Sequence, residues 1–253
     1  MMIKFLNNKK NSTQIDLSQL KIPYPMKSKY DMVIPANLFQ TWHTTKLPPL
    51  MYNAVAKIRK LNPRFNYKIF DDNDCREFIK NNFKHDVLNA YDNLIPGAYK
   101  ADLWRYCILY KCGGIYLDIK YEPLNGFRFI NLLEKEHLVA DLDNVCIYNA
   151  LMVCKAGNEI LLKVINRIVE NVQTKFYGEC YLSPTGPRLL SNFVSTNDDI
   201  VDLKHSQLDS NYKLLSYNNI PILKSYYGHL SERDNFSVKE HYASLWNKRQ
   251  IYL

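Results

Sequence analysis

No stretch of this 253-residue chain approaches the roughly 20 consecutive apolar residues that a membrane-spanning helix needs. The opening MMIKFLNNKKNSTQ lacks an apolar run followed by small residues, so it does not read as a secretory signal and points to a cytoplasmic location. Paired cysteine spacings of the zinc-site kind are missing. Cys75, Cys107, Cys112, Cys146, Cys154 and Cys180 are scattered, and a chain of this size does not depend on disulfide staples. They read as free, mostly buried thiols. The basic residues form no long block, and no RNA-binding or zinc-finger pattern occurs. The net charge of +8 therefore reads as solvated lysines with a general preference for anionic partners, and not as a nucleic-acid footprint. There is no internal repeat, low-complexity tract or linker. Residues 1–30 read as a polar arm and 31–253 as a single domain.

What is present is an ordinary globular composition, 47% hydrophobic and 23% charged. Strand and helix patterns alternate. MVIPANLFQTW, 32–42, reads as a first strand. PPLMYNAVAKIRKLNP reads as a helix begun by its prolines and stopped by Pro63. FNYKIFDD alternates as a half-buried strand, and Asp72 or Asn73 is suited to cap the helix that follows. A helix from about Ala98 to Cys112 is closed by Gly113-Gly114, and IYLDIKY follows as a strand. HLVADLD and VCIYNALMVCKA read as a strand pair. The next helix, NEILLKVINRIVENV, carries Leu161, Ile165, Ile168 and Val172 on one face. SPTGPRLLSNF reads as a turn feeding a further helix, and about 198–235 as short strands and loops. The alternation indicates an α/β layer fold.

Three charges stand out inside the apolar run ADLWRYCILYKCGGIYLDIKYEPL. Asp102 and Arg105 are three apart and share a face of a helix that is apolar around most of its circumference. Charges in such a place are costly unless paired. Either the two form a private ion pair, or both face a polar ligand; carboxylate and guanidinium together suit sugar hydroxyls. Asp118 lies toward the carboxyl end of a strand, where open α/β sheets bind ligands. A carboxylate there can ligate Mg2+ or Mn2+, or simply cap a helix.

The combination Asp-Leu-Trp-Arg-Tyr … Gly-Gly-Ile-Tyr-Leu-Asp-Ile-Lys resembles the core signature of the DXD sugar-binding glycosyltransferases of family 32. The likeness extends from about Ile34 to Trp246, through IPANLFQTW, NPRFNYKIFDD, PTGPRLL and HYASLW. It implies a GT-A-type, Rossmann-like nucleotide-sugar-binding fold with a central mixed sheet flanked by helices. It also implies a UDP- or GDP-sugar donor, a glycan or protein-linked acceptor, a Mn2+ or Mg2+ ion and retention of anomeric configuration. Carried over by position, Asp102 and Arg105 would hold the donor sugar, with Gly114 and Tyr116 beside them. Gln40, Thr41 and Trp42 would flank the nucleotide, with Asp118 near ribose and metal. His241 would be a metal ligand, and Ser244 and Trp246 would close over the diphosphate.

The triplet departs from the family pattern. It is Asp118-Ile119-Lys120, with a lysine where the last acid belongs. The metal would then bind through Asp118, His241 and diphosphate oxygens, or Lys120 would supply part of its charge to the leaving group, or the enzyme would be impaired. Glu122, on the strand face shared with Asp118 and Lys120, is a candidate displaced acid or equally a surface residue. With no clear nucleophile in view, same-face attack is the expected route to retention. Three rival readings remain: a sugar-binding module without turnover, a phosphatase-like enzyme using Asp118, and a nucleic-acid binder.

Overall fold

The computed structural model describes residues 23–142, 145–207, 212–236 and 239–253. Most of the expected N-terminal arm, 1–22, lies outside the described residues. The architecture is α/β, with mixed sheets and flanking helices.

A four-stranded sheet has the order β2-β1-β3-β6. β1 (Asn37–Thr41), β2 (Asn66–Phe70) and β3 (Gly114–Leu117) run parallel, and β6 (Leu151–Cys154) is antiparallel to β3. β1 begins five residues later than the apolar pattern suggests. Pro35 has no N–H to give a ladder, and the N–H groups of Val33 and Ile34 both donate to the Leu133 carbonyl instead. α1 (Pro49–Leu61) and α2 (Asp72–Asn82) cover the connections around β2. The cap of α2 is Asp71, one residue before the expected position: its side chain accepts from the Asp74 N–H while Asp74 answers the Asp71 N–H. A helix absent from the sequence reading, α3 (His85–Asn93), comes next.

α4 (Gly97–Cys112) is the central helix, with nine residues from Tyr99 to Leu109 buried. It packs between α2, α3 and α5 (Glu159–Gln173), whose apolar stripe is buried as its spacing requires. Gly113, at φ 61°, ends α4 in the left-handed region. Gly114, at φ 120°, opens β3 so close to β1 that a Cβ would stand 2.7 Å from the Asn37 carbonyl oxygen.

The IYLDIKY stretch is not one strand. β3 stops at Leu117, and β4 (Tyr121–Pro123) belongs to a second sheet of order β4-β9-β8-β7-β5. Between them Asp118-Ile119-Lys120 forms a turn, with the Tyr121 N–H donating to the Asp118 carbonyl at 3.1 Å. The face shared by Asp118 and Glu122 is thereby lost. Glu122 sits instead between Lys57 at 3.1 Å and Lys224 at 3.2 Å. The second sheet is completed by β5 (Leu138–Ala140), β7 (Val201–Gln207), β8 (Lys213–Tyr217) and β9 (Ile220–Ser225). β8 and β9 form a hairpin through Asn218-Asn219, both at positive φ, the geometry of a two-residue primed turn. The expected pairing of the β5 and β6 segments is reduced to isolated bridges, because the two strands serve different sheets. α6 (Pro187–Leu190), α7 (His229–Phe236) and α8 (Tyr242–Asn247) close the chain. Glu232 of α7 accepts from the N–H groups of Leu50 and Met51, capping α1 from a distance. Among the described residues no helix is long and apolar enough to cross a membrane.

Gly114→Ala adds a Cβ into backbone at a φ that L-residues avoid, and is expected to cost about 3 kcal/mol, read from the urea midpoint. Burial alone would raise the Asp202 carboxyl, but the His137 and Lys135 partners outweigh it and hold it below its ordinary range. Its stabilisation is therefore full above the unfolded carboxylate value of about 3.9 and is lost as pH falls through the lower folded one. Asp202→Asn should flatten the acid side of a melting-temperature profile against pH while lowering stability at neutral pH.

Candidate functional site

The carboxyl end of β3 meets the second and third turns of α4, and charged side chains gather there. Asp102 and Arg105 are 7% and 6% exposed. The guanidinium is 3.3 Å from Asp102 Oδ1 through Nη2 and 3.4 Å from Asp118 Oδ1 through Nη1. It also donates to the Asn149 carbonyl at 2.8 Å and lies 4.3 Å from the centre of the Tyr116 ring. The ion-pair reading of Asp102 and Arg105 is what the structure shows, and the pair is not private: it extends to the acid at the end of β3.

Each carboxylate is further fixed. Asp102 Oδ1 accepts from Asn149 Nδ2 at 2.9 Å and Oδ2 from the Thr185 hydroxyl at 2.8 Å. A Cβ at Gly186 would stand 3.4 Å from that same Oδ2, so the Thr-Gly-Pro turn supplies both a donor and the room for it. Asp118 Oδ1 accepts from the Tyr116 hydroxyl at 2.8 Å, and Oδ2 from Lys120 Nζ at 2.6 Å. The network is more buried at the Asp102 end, where that side chain is 11% exposed, and more open at the other, where the Asp118 and Lys120 side chains are 20% and 26% exposed.

Electrostatics follow the packing. Burial lifts the Asp102 carboxyl above its ordinary range against the pull of Arg105. For Asp118 burial acts the same way, but Lys120 and Arg105 outweigh it and hold the group ionised below its usual range. Burial works against the Lys120 charge, and Asp118 and Tyr148 overcome it, so the ammonium is kept. Burial and then Asp102 push the Tyr242 hydroxyl up to about 12, which puts α8 within electrostatic reach of the site.

The other sequence-predicted residues are distributed as follows. Gln40 is fully buried; its Oε1 accepts from the Tyr67 hydroxyl at 2.8 Å, while its Nε2 and the Trp42 Nε1 have no partner among the described residues. Two unpartnered donors at the end of β1 suit a ligand that accepts hydrogen bonds. The Thr41 hydroxyl is committed to the Phe70 carbonyl at 2.8 Å. Gly114 is at the far end of β3, about 13 Å of strand from Asp118, so the structure gives it a packing role and not a place beside the sugar. Tyr116 is in the network through its hydroxyl and ring. His241 caps α8, its Nδ1 accepting from the Ala243 N–H at 3.3 Å. Ser244 donates to Glu240, and the Trp246 indole N–H donates to the Tyr177 carbonyl at 2.8 Å, so that N–H is not free for a diphosphate. Sequence reasoning missed Asn149, Thr185 and Tyr148; only the Thr-Gly-Pro turn signalled any of them.

A divalent Mn2+ or Mg2+ ion wants several oxygen ligands close around it. The residues present do not fit one. Both Asp118 oxygens already accept from donors, and the second acid of the triplet is an ammonium. Among the described residues no three His, Cys, Asp or Glu side chains converge as a metal cluster.

Comparison with known proteins agrees with the sequence signature. Residues 48–139 match the family described as "Glycosyltransferase sugar-binding region containing DXD motif". Inositol phosphoceramide mannosyltransferase 3 of Schizosaccharomyces pombe is 34% identical over 195 residues, 76% of this chain and 52% of that protein. Inositol phosphoceramide mannosyltransferase 2 of the same yeast is 32% identical over 114 residues, 45% of this chain and 33% of that protein. This chain therefore spans about half or less of the length of these relatives. Among solved structures, PaToxG Glycosyltransferase aligns with a TM-score of 0.48 at 16% identity, over 63% of this chain and 68% of that one. With the signature residues of α4 and β3 inside the matched region, the chain belongs to the family of DXD-containing sugar-binding glycosyltransferases, family 32.

Proposed function

We propose that this chain is a GT-A-type, retaining glycosyltransferase that moves a hexose from a UDP- or GDP-sugar to a hydroxyl of a glycan or other acceptor. The observation that carries the reading is the joined Asp102–Arg105–Asp118–Lys120 cluster at the carboxyl ends of the parallel strands. The yeast relatives are named as mannosyltransferases, which favours mannose as the sugar and GDP-mannose as the first donor to try.

In this reading Asp102 and Arg105 orient the sugar hydroxyls as acceptor and donor. The bond from the anomeric carbon to the diphosphate oxygen breaks, and its electron pair goes to that oxygen. The acceptor oxygen bonds the same carbon from the same face, and its proton passes to the departing diphosphate. Lys120 stabilises the charge that develops there. Trp42 and Gln40, whose buried donors have no partner among the described residues, would flank the nucleotide.

Incubation with UDP- and GDP-sugars tests the reading. Release of nucleoside diphosphate is expected for one donor, with sugar appearing on an acceptor. Binding without release would make the chain a non-catalytic module, and hydrolysis of simple phosphate esters would make it a phosphatase. Asp102→Asn keeps the side chain's size but removes its charge; in protein shown to be folded by thermal melting, it is expected to lower kcat about 100-fold while the donor Kd moves little. Unchanged turnover in that variant would remove Asp102 from the site.

A further inference from the structure

An acid and a bound divalent cation together carry one net positive charge. Lys120, in the place of that acid, carries the same charge by itself. Its surroundings are one carboxylate and two aromatic rings. Nζ is 2.6 Å from Asp118 Oδ2 and 5.4 Å from the ring centres of Tyr121 and Tyr148. The Tyr148 ring is itself pinned, with His205 stacked on it at 4.0 Å and 5° and the Tyr121 hydroxyl at 3.1 Å from its own. His205 is anchored in turn by Asp141 at 2.7 Å. A second ammonium, Lys213, lies 5.8 Å from the same Tyr148 ring. His229, under burial and then the nearby Lys120 charge, titrates at about 4, so it is neutral at pH 7 and adds no competing cation.

We infer that Lys120 is a resident cation that takes the place of the divalent metal against the leaving diphosphate, so that this chain binds and turns over its donor without Mn2+ or Mg2+. The inference rests on the glycosyltransferase reading above. Its physical basis is preorganisation: a charge already held where negative charge develops needs no reorganisation during reaction. The side chain is 26% exposed, which leaves the ammonium an open flank toward solvent and ligand. The diphosphate would meet an ammonium whose pairing with Asp118 is shared, not a metal whose coordination must be assembled.

The test uses the full chain, with GDP, UDP and Mn2+ as probes. Wild-type protein is expected to bind one of the two nucleotides equally in EDTA and in Mn2+, and to leave the electron paramagnetic resonance signal of free Mn2+ unchanged. Lys120→Asp restores the second acid; it is expected to quench that signal and to bind the nucleotide at least about tenfold better with Mn2+ than with EDTA. Lys120→Met, with neither charge, should lose about tenfold in nucleotide affinity that Mn2+ does not restore. Thermal melting of each variant establishes that it is folded. Wild-type binding or turnover that disappears in EDTA and returns with Mn2+ overturns the inference and leaves the glycosyltransferase reading intact. Failure of the wild type to bind either nucleotide in either condition overturns both.

Discussion

The arrangement of this protein depends on holding one guanidinium between two carboxyl groups in its interior. Removing either carboxylate would leave Arg105 partly uncompensated inside an apolar helix, and an unpaired buried charge is among the costliest defects a fold can carry. The chain answers with partners from distant segments: Asn149 from the stretch before β6, Thr185 from the Thr-Gly-Pro turn, and Tyr116 from β3. Those hydrogen bonds lock α4, β3 and the α6 turn into one relative position. A pair that is expensive as a stabiliser serves well as a positioning device, since few alternative packings would satisfy every member.

The second organising feature is the turn at Asp118-Ile119-Lys120. The chain leaves one sheet at Leu117 and enters the other at Tyr121, so the charged triplet occupies the junction of the two sheets. Main-chain bonds hold it from both sides: the Asp118 N–H donates to the Ala150 carbonyl at 2.7 Å, and the Lys120 carbonyl accepts from the Tyr226 N–H at 2.9 Å. A backbone fixed at a sheet junction, with side chains left partly open, is what precise presentation of charge to a ligand requires. The aromatic rings beside Lys120 come from the second sheet and its approach, so both sheets contribute to one site.

Much of this was legible in the residues. Asp102 and Arg105 declared themselves as charges inside an apolar run, and Gly113 marked the end of their helix. The stripe of α5 followed its period. The break after Asp118 was not legible, because Ile119 and Lys120 are not turn-forming types and the apolar pattern runs through them. Glu122 was consequently read onto the wrong face. The helix α7 escaped notice because HLSERDNF has no apolar face; it buries His229 and Glu232, the latter to cap α1. Gly114, which the resemblance put beside the donor sugar, lets β3 approach β1. Asn149 and Thr185 lie 47 and 83 residues from Asp102, and nothing local in a chain announces a partner at that separation.

The central claim is that Asp102, Arg105, Asp118 and Lys120 together face an activated sugar. A crystal structure of the protein with a non-hydrolysable nucleotide sugar, grown in EDTA, tests it most directly. The account predicts sugar hydroxyls within hydrogen-bond distance of Asp102 and Arg105, with Lys120 Nζ against a diphosphate oxygen. A nucleotide sugar seated elsewhere, with the four side chains still closed upon one another, would contradict it.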